Sequence, residues 1–186
     1  LARSRPLRGD RLANLTNGGS VGMMAADTLL AGGGKLAEFA DETRAALSGV
    51  LGPNWLRDNI IDMGFDATAG HYEQTLRVLL KEPGVNAILI IHVPFATVPG
   101  VEAAKAAATV LGKTSRTVLA CFMGFDQSGE EVRLLTAAGI PTYETPDKAV
   151  GAFVHLVRHR RNQELLMEMP ASLPTDFYPD LDAAKA

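Results

Sequence analysis

The stretch NAILIIHV, residues 86–93, is an almost unbroken apolar run. A strand with one face in water alternates apolar and polar side chains. This one does not, so it wants burial on both faces, as in the middle of a parallel sheet sandwiched by helices. Its surroundings agree. Before it, Tyr72 to Leu80 repeat apolar residues at helical spacing and stop at Pro83 and Gly84. After it come the loop HVPFATVPG, an alanine-rich helix over Val101–Leu111, and a further strand over Thr117–Phe122.

The same alternation extends in both directions. Upstream, a strand over Leu12–Thr16 leads into a helix over Ser20–Ala31 that ends at Gly32, Gly33 and Gly34, and a strand follows over Lys35–Phe39. DETRAALSGVLG then reads as a helix with Asp41 as its N-cap and a stop at Gly52 and Pro53. Ile60 and Ile61 form a brief extended stretch ending at Asp62. Downstream lie a helix over Glu130–Ala138, a strand over Ile140–Tyr143 and a helix over Pro146–Leu166 with Thr145 as its cap. Five parallel strands with helices on both faces predict an α/β, flavodoxin-like doubly wound fold with strand order 2-1-3-4-5. Residues 1–10 read as a linker, 11–168 as the domain, and the proline-rich, acidic 169–186 as a second linker. The chain starts without Met, on an arginine-rich segment, which suggests a piece of something longer.

Composition removes several classes of function. The chain has 186 residues, 47% hydrophobic and 21% charged, with a net charge of −3. That is a globular balance without the basic footprint of a nucleic-acid binder. The one basic cluster, HLVRHRR at 155–161, fits a solvated helix face. No apolar run is long enough for a membrane span, and no signal peptide is evident. The single cysteine, Cys121, lies in an apolar run and is expected to be a buried, inert thiol. The setting implied is cytoplasmic.

In open α/β sheets, ligands bind at the carboxyl ends of the strands. Four loops should meet there: Asn17–Gly22, Asp62–Asp66, His92–Thr97 and Met123–Ser128. The first, TNGGSVG over 16–22, is the candidate site. Gly18, Gly19 and Gly22 permit close backbone approach, and the amides at the start of the next helix suit an anion. The alternative is a tight strand-to-helix turn with no ligand. The spacing matches neither the dinucleotide fingerprint nor the P-loop. Asp62 is expected to cap a turn, with ligand contact as the alternative. His71 and His92 read as structural groups. His155 and His159 share a helix face but have no third ligand nearby, so no metal site is expected.

These residues resemble the CoA-ligase domain of the NDP-forming acyl-CoA synthetases, relatives of succinyl-CoA synthetase. The family's TNGGGPG loop is matched by TNGGSVG at 16–22, and its NPVD by NIID at 59–62. VNAILIIHVP at 85–94, LACFMG at 119–124 and AGIPTYETPDKAV at 138–150 continue the match in order. The ending AFVHLVRHRRNQELLMEMP at 152–170 resembles the subgroup fused to a GNAT domain as protein lysine acetyltransferases.

The resemblance implies that Asn17, Gly18, Gly19, Ser20, Val21 and Gly22 face a phosphate. Their helix would be one of a pair converging on a phosphohistidine carried by a neighbouring domain. It also implies CoA and ATP/ADP with Mg in the full-length protein, and CoA-binding, phosphohistidine and ATP-grasp domains as partners. It implies no catalytic residue in this chain, which alone should be inactive. Ser20 and Val21 depart from the family's glycine and proline, so the loop has a larger wall and a more restricted backbone; the alternative is a non-catalytic regulatory or scaffolding module of a protein lysine acetyltransferase. A free-standing mononucleotide-binding protein is a third reading.

Overall fold

The computed structural model describes residues 7–53, 55, 58–96, 98–124 and 128–167. The linker expected over 169–186, residues 1–6, Thr97 and residues 125–127 of the fourth loop lie outside the described residues. The elements are β1 (Arg11–Thr16), α1 (Gly19–Ala31), β2 (Lys35–Leu36), α2 (Asp41–Leu51), β3 (Ile60–Asp62) and α3 (Ala69–Leu79). They continue with β4 (Ala87–His92), α4 (Gly100–Leu111), β5 (Thr117–Phe122), α5 (Glu130–Ala137), β6 (Thr142–Tyr143) and α6 (Pro146–Met167).

All strand pairs are parallel and run in the order β2-β1-β4-β5-β6, with β3 also paired to β1. The five-lane flavodoxin-like order is therefore the one expected, with one addition. β2 pairs with Arg11 and Leu12, and β3 pairs with Asn14 to Thr16. Two short strands thus share one edge of β1, and this explains why β2 stops at Leu36 rather than Phe39. After the Ala37 amide bonds to Leu12 O at 2.9 Å, the rest of that edge belongs to β3.

β4 and β5 are buried at every position. Because successive strand residues face opposite sides, Ile88 and Ile90 enter one core and Ala87, Leu89 and Ile91 the other. The first core is closed by α2, α3, α4 and α5 through Leu47, Leu76, Ala107 and Leu135; the second by α1 and α6 through Leu29 and Phe153.

Besides β2 and several ends that shift by one residue, three boundaries differ from the sequence reading for local chemical reasons. Ala40, not Asp41, is the N-cap of α2, and Asp41 takes the first helical position, where its charge suits the helix dipole. Helix α3 starts at Ala69, ahead of Tyr72. Its cap is reciprocal: Thr68 Oγ1 accepts from the His71 amide at 3.3 Å and His71 Nδ1 accepts from the Thr68 amide at 3.1 Å. β6 loses its first two residues because the Ile140 amide bonds to Leu135 O at the end of α5 and Pro141 has no amide hydrogen to give.

Candidate functional site

The loop between β1 and α1 is held from several sides. Buried Asn17 pairs with the backbone after β4: its Nδ2 donates to Val93 O at 2.9 Å and its Oδ1 accepts from Val93 N at 2.8 Å. Buried Asn14, inside β1, donates to Gly22 O at 2.8 Å. Thr16 Oγ1 accepts from the Gly18 amide at 3.0 Å, and Gly18 O accepts from the amides of Val21 and Gly22 at 3.0 and 3.2 Å. Asn14, Thr16 and Asn17 fix this loop as a side-chain scaffold of β1 and its exit.

The candidate amides fall into two groups. Those of Gly18, Val21 and Gly22 are spent inside the protein. Those of Gly19 and Ser20, the first two of α1, have no acceptor among the described residues. Such amides carry the positive end of the helix dipole. The anion-facing surface is therefore two adjacent amides, narrower than the six-residue loop.

Two glycines are required by close approach. A Cβ at Gly22 would lie 2.8 Å from Thr16 Cγ2 and 3.0 Å from Ile60 Cγ2, and one at Gly18 would lie 2.7 Å from Val93 Cγ2; at Gly19 a Cβ would meet Oδ2 at the end of the exposed Asp62 side chain. Asp62 ends β3 in register with Thr16, and its Oδ1 accepts from the Gly64 amide at 3.0 Å. It caps its turn, as its residue type suggests, and also sets a carboxylate beside the first open amide of α1.

The loops expected to converge do so over their described residues. Met63 N donates to Thr16 O at 2.8 Å and Met123 N to His92 O at 2.9 Å. Phe65 and Phe95, both exposed, meet edge to face with ring centroids 6.5 Å apart. This aromatic pair, and the exposed Met23 and Met24 on α1, escaped the sequence reading. The signal available was large apolar residues placed within polar loops or just after a glycine turn.

His71 and His92 take structural places. His92 is buried at the end of β4, stacked on Phe122 at 5.0 Å, with Nδ1 2.8 Å from Tyr72 Oη. Burial pushes its pKa down to about 4. His71 serves the α3 cap, and His155 and His159 are exposed on α6. Among the described residues, no group of His, Cys, Asp or Glu could hold a metal ion. Cys121 is buried, and that burial, with Asp147 nearby, pushes the thiol up to about 12, where it stays protonated and inert. In the basic cluster of α6, Arg160 pairs with Glu164 at 3.0 Å and Arg161 with Asp10 at 2.8 Å. No described helix is long and apolar enough to cross a membrane.

No protein-family model matches the sequence. Individual proteins do. The chain is 33% identical over 166 residues to the acetate–CoA ligase [ADP-forming] II subunit alpha of Pyrococcus furiosus, covering 87% of this chain and 36% of that protein. The crystal structure of PH0766 from Pyrococcus horikoshii OT3 superposes with a TM-score of 0.80 at 33% identity, over 86% of this chain and 38% of that one. The dinucleotide-forming acetyl-coenzyme A synthetase 1 of Ca. Korarchaeum cryptofilum, in complex with phosphate and ADP, gives a TM-score of 0.79 at 25% identity, over 88% and 36%. This chain therefore spans a little over a third of the length of each of these relatives. By sequence and by fold alike, it is a homologue of the ADP-forming acyl-CoA synthetases, matching their flavodoxin-like CoA-ligase portion.

Proposed function

We propose that this chain is the CoA-ligase domain of an ADP-forming acyl-CoA synthetase, working in the cytoplasm, and that its glycine loop presents a helix N-terminus to a phosphoryl group. The observation that carries the reading is the pair of open amides at Gly19 and Ser20. A transferring phosphoryl group needs charge stabilisation more than covalent help, and preorganised amides with a helix dipole supply it without a nucleophile. Asn17, Gly18, Val21 and Gly22 then hold the loop's shape rather than the phosphate itself.

On this reading the phosphohistidine, the CoA site and the ATP-grasp site for ATP/ADP with Mg belong to other domains of the synthetase. The chain contributes electrostatics and a docking face, and has no ligase activity by itself. The test uses the complete synthetase polypeptide. Ser20→Pro removes one open amide, costs no intrachain hydrogen bond, and places proline in a first helical turn. Acyl-CoA formation should fall by about a hundredfold, the usual effect of deleting one such donor. Unchanged turnover would refute the phosphate role.

A second reading has one observation behind it: the Asp62 carboxylate beside Gly19 opposes an incoming dianion. On that reading the chain is a silent regulatory module, including the case of a fused GNAT acetyltransferase. Nucleotide turnover by the complete protein would eliminate it.

A further inference from the structure

Two clefts, each of about 580 Å³, lie at the amino ends of the strands, opposite the glycine loop. That volume is in the range that small-molecule sites occupy. They differ in charge. One is lined by residues of both signs, including Asp10 and Glu38 with Arg11 and Lys35, and Asp10 is already paired with Lys35 at 3.2 Å and with Arg161. The other is lined by three cationic residues, Arg8, Lys113 and Arg116, with no carboxylate, on a chain whose net charge is −3.

Helix C-termini gather at this end of the sheet, and cations there need no ligand to explain them. Arg116 fulfils that structural duty. Its Nη1 donates to Leu79 O, the last residue of α3, at 3.1 Å and to Val85 O, beyond it, at 2.7 Å. Glu82, near Arg116, is buried and does not line the cleft; its oxygens accept from the amides of Ala40 and Gly84. Arg8 and Lys113 are different. Both are exposed, and neither has an ion pair or hydrogen bond among the described residues. Leu80 and Val110 give the same cleft an apolar wall.

We infer that this cleft binds a phosphate ester of nucleotide size, its phosphates between Arg8 and Lys113 and its less polar body against Leu80 and Val110. Two cations without a partner among the described residues, with a fixed third behind them, match a multiply charged phosphate. The apolar wall favours an ester over free phosphate. The site is independent of the glycine loop and of the function proposed for it.

The experiment is an amide chemical-shift titration of the full chain with ADP, and separately with inorganic phosphate. ADP should give saturable shifts at Lys113 to Arg116 and at Arg8, weakened by salt. Phosphate alone should bind there about tenfold more weakly, since it lacks the body that meets the wall. The double variant Arg8→Ala, Lys113→Ala removes exposed side chains only, and should weaken ADP binding at this cleft roughly tenfold or more. Charge reversal by Lys113→Glu should abolish it. Absence of saturable shifts at 113–116, equal affinity for phosphate and ADP, or shifts indifferent to both variants would each overturn the inference.

Discussion

The two ends of the sheet solve opposite problems. At the carboxyl ends, the Asn14 amide group, Thr16 Oγ1 and both ends of the Asn17 side chain bond to backbone, and of the loop's amides from Gly18 to Gly22 those of Gly19 and Ser20 are left open among the described residues. No large cavity is needed, because the feature on offer is a direction and a partial charge. At the amino ends there is volume and there are whole cations, but no open helix N-terminus. The lesson is that cavity size and electrostatic preorganisation are separate properties. A parallel sheet with helices on both faces places the second at one end by necessity, since every β-to-α turn points a helix N-terminus there.

The comparison can be strained first by acid. His92 lies beneath the carboxyl-end loops and resists protonation down to about 4 in the folded chain, because burial disfavours its charged form. In the unfolded chain it titrates near 6.5, so the unfolded state takes up the proton first. Stability is fully present above that value and declines as the pH falls towards 4, by about 3 kcal/mol in all. Denaturant unfolding at several pH values should show this slope, and His92→Gln should flatten it. At the amino end, Asp10 behaves differently. Burial opposes its ionisation, but hydrogen bonds from Arg161 and Lys35 hold its carboxyl below the usual range. These exposed pairs contribute under about 1 kcal/mol, so Asp10→Asn should leave the slope between pH 6.5 and 4 in place.

Asn17→Ala is the next largest perturbation. It leaves the amide and carbonyl of Val93 without their partners at 2.8 and 2.9 Å and should cost about 2 kcal/mol. It should also loosen Gly19 and Ser20 while leaving the amino-end cleft as it was. Protection of the loop amides from hydrogen exchange would report the difference. The smallest effect sharpens the site itself. Asp62→Asn keeps a group that can accept from Gly64 but removes the negative charge beside Gly19, so phosphate should bind the loop about fivefold more tightly, roughly 1 kcal/mol of screened repulsion. Calorimetric titration with inorganic phosphate measures it.

Much of the fold was legible because its strongest signals are local. NAILIIHV and TVLACF are apolar throughout, and burial on both faces follows from that alone. The strand order followed too, once helices separated the strands. What was not legible was competition between distant segments for one edge: nothing within KLAEF says that NIID will claim the upper half of β1. The candidate loop showed the same limit. TNGGSVG announces a tight turn next to a helix start, but which amides stay open depends on Asn14 and Thr16 upstream and on Val93, 76 residues after Asn17. The polar Asn14 inside LANLT was a visible clue, a buried strand position that needs a partner. Asp62 was legible as a turn cap, but not as a neighbour of Gly19.

Which amides of TNGGSVG meet an anion decides what the glycine loop does. Titrating the isotopically labelled full chain with inorganic phosphate, and following the five amides from Gly18 to Gly22, tests it in one series. Gly19 and Ser20 should show the large saturable shifts, with Gly18, Val21 and Gly22 moving little because their hydrogen bonds are already made. Shifts spread evenly over the loop, or none at Gly19 and Ser20, would contradict it.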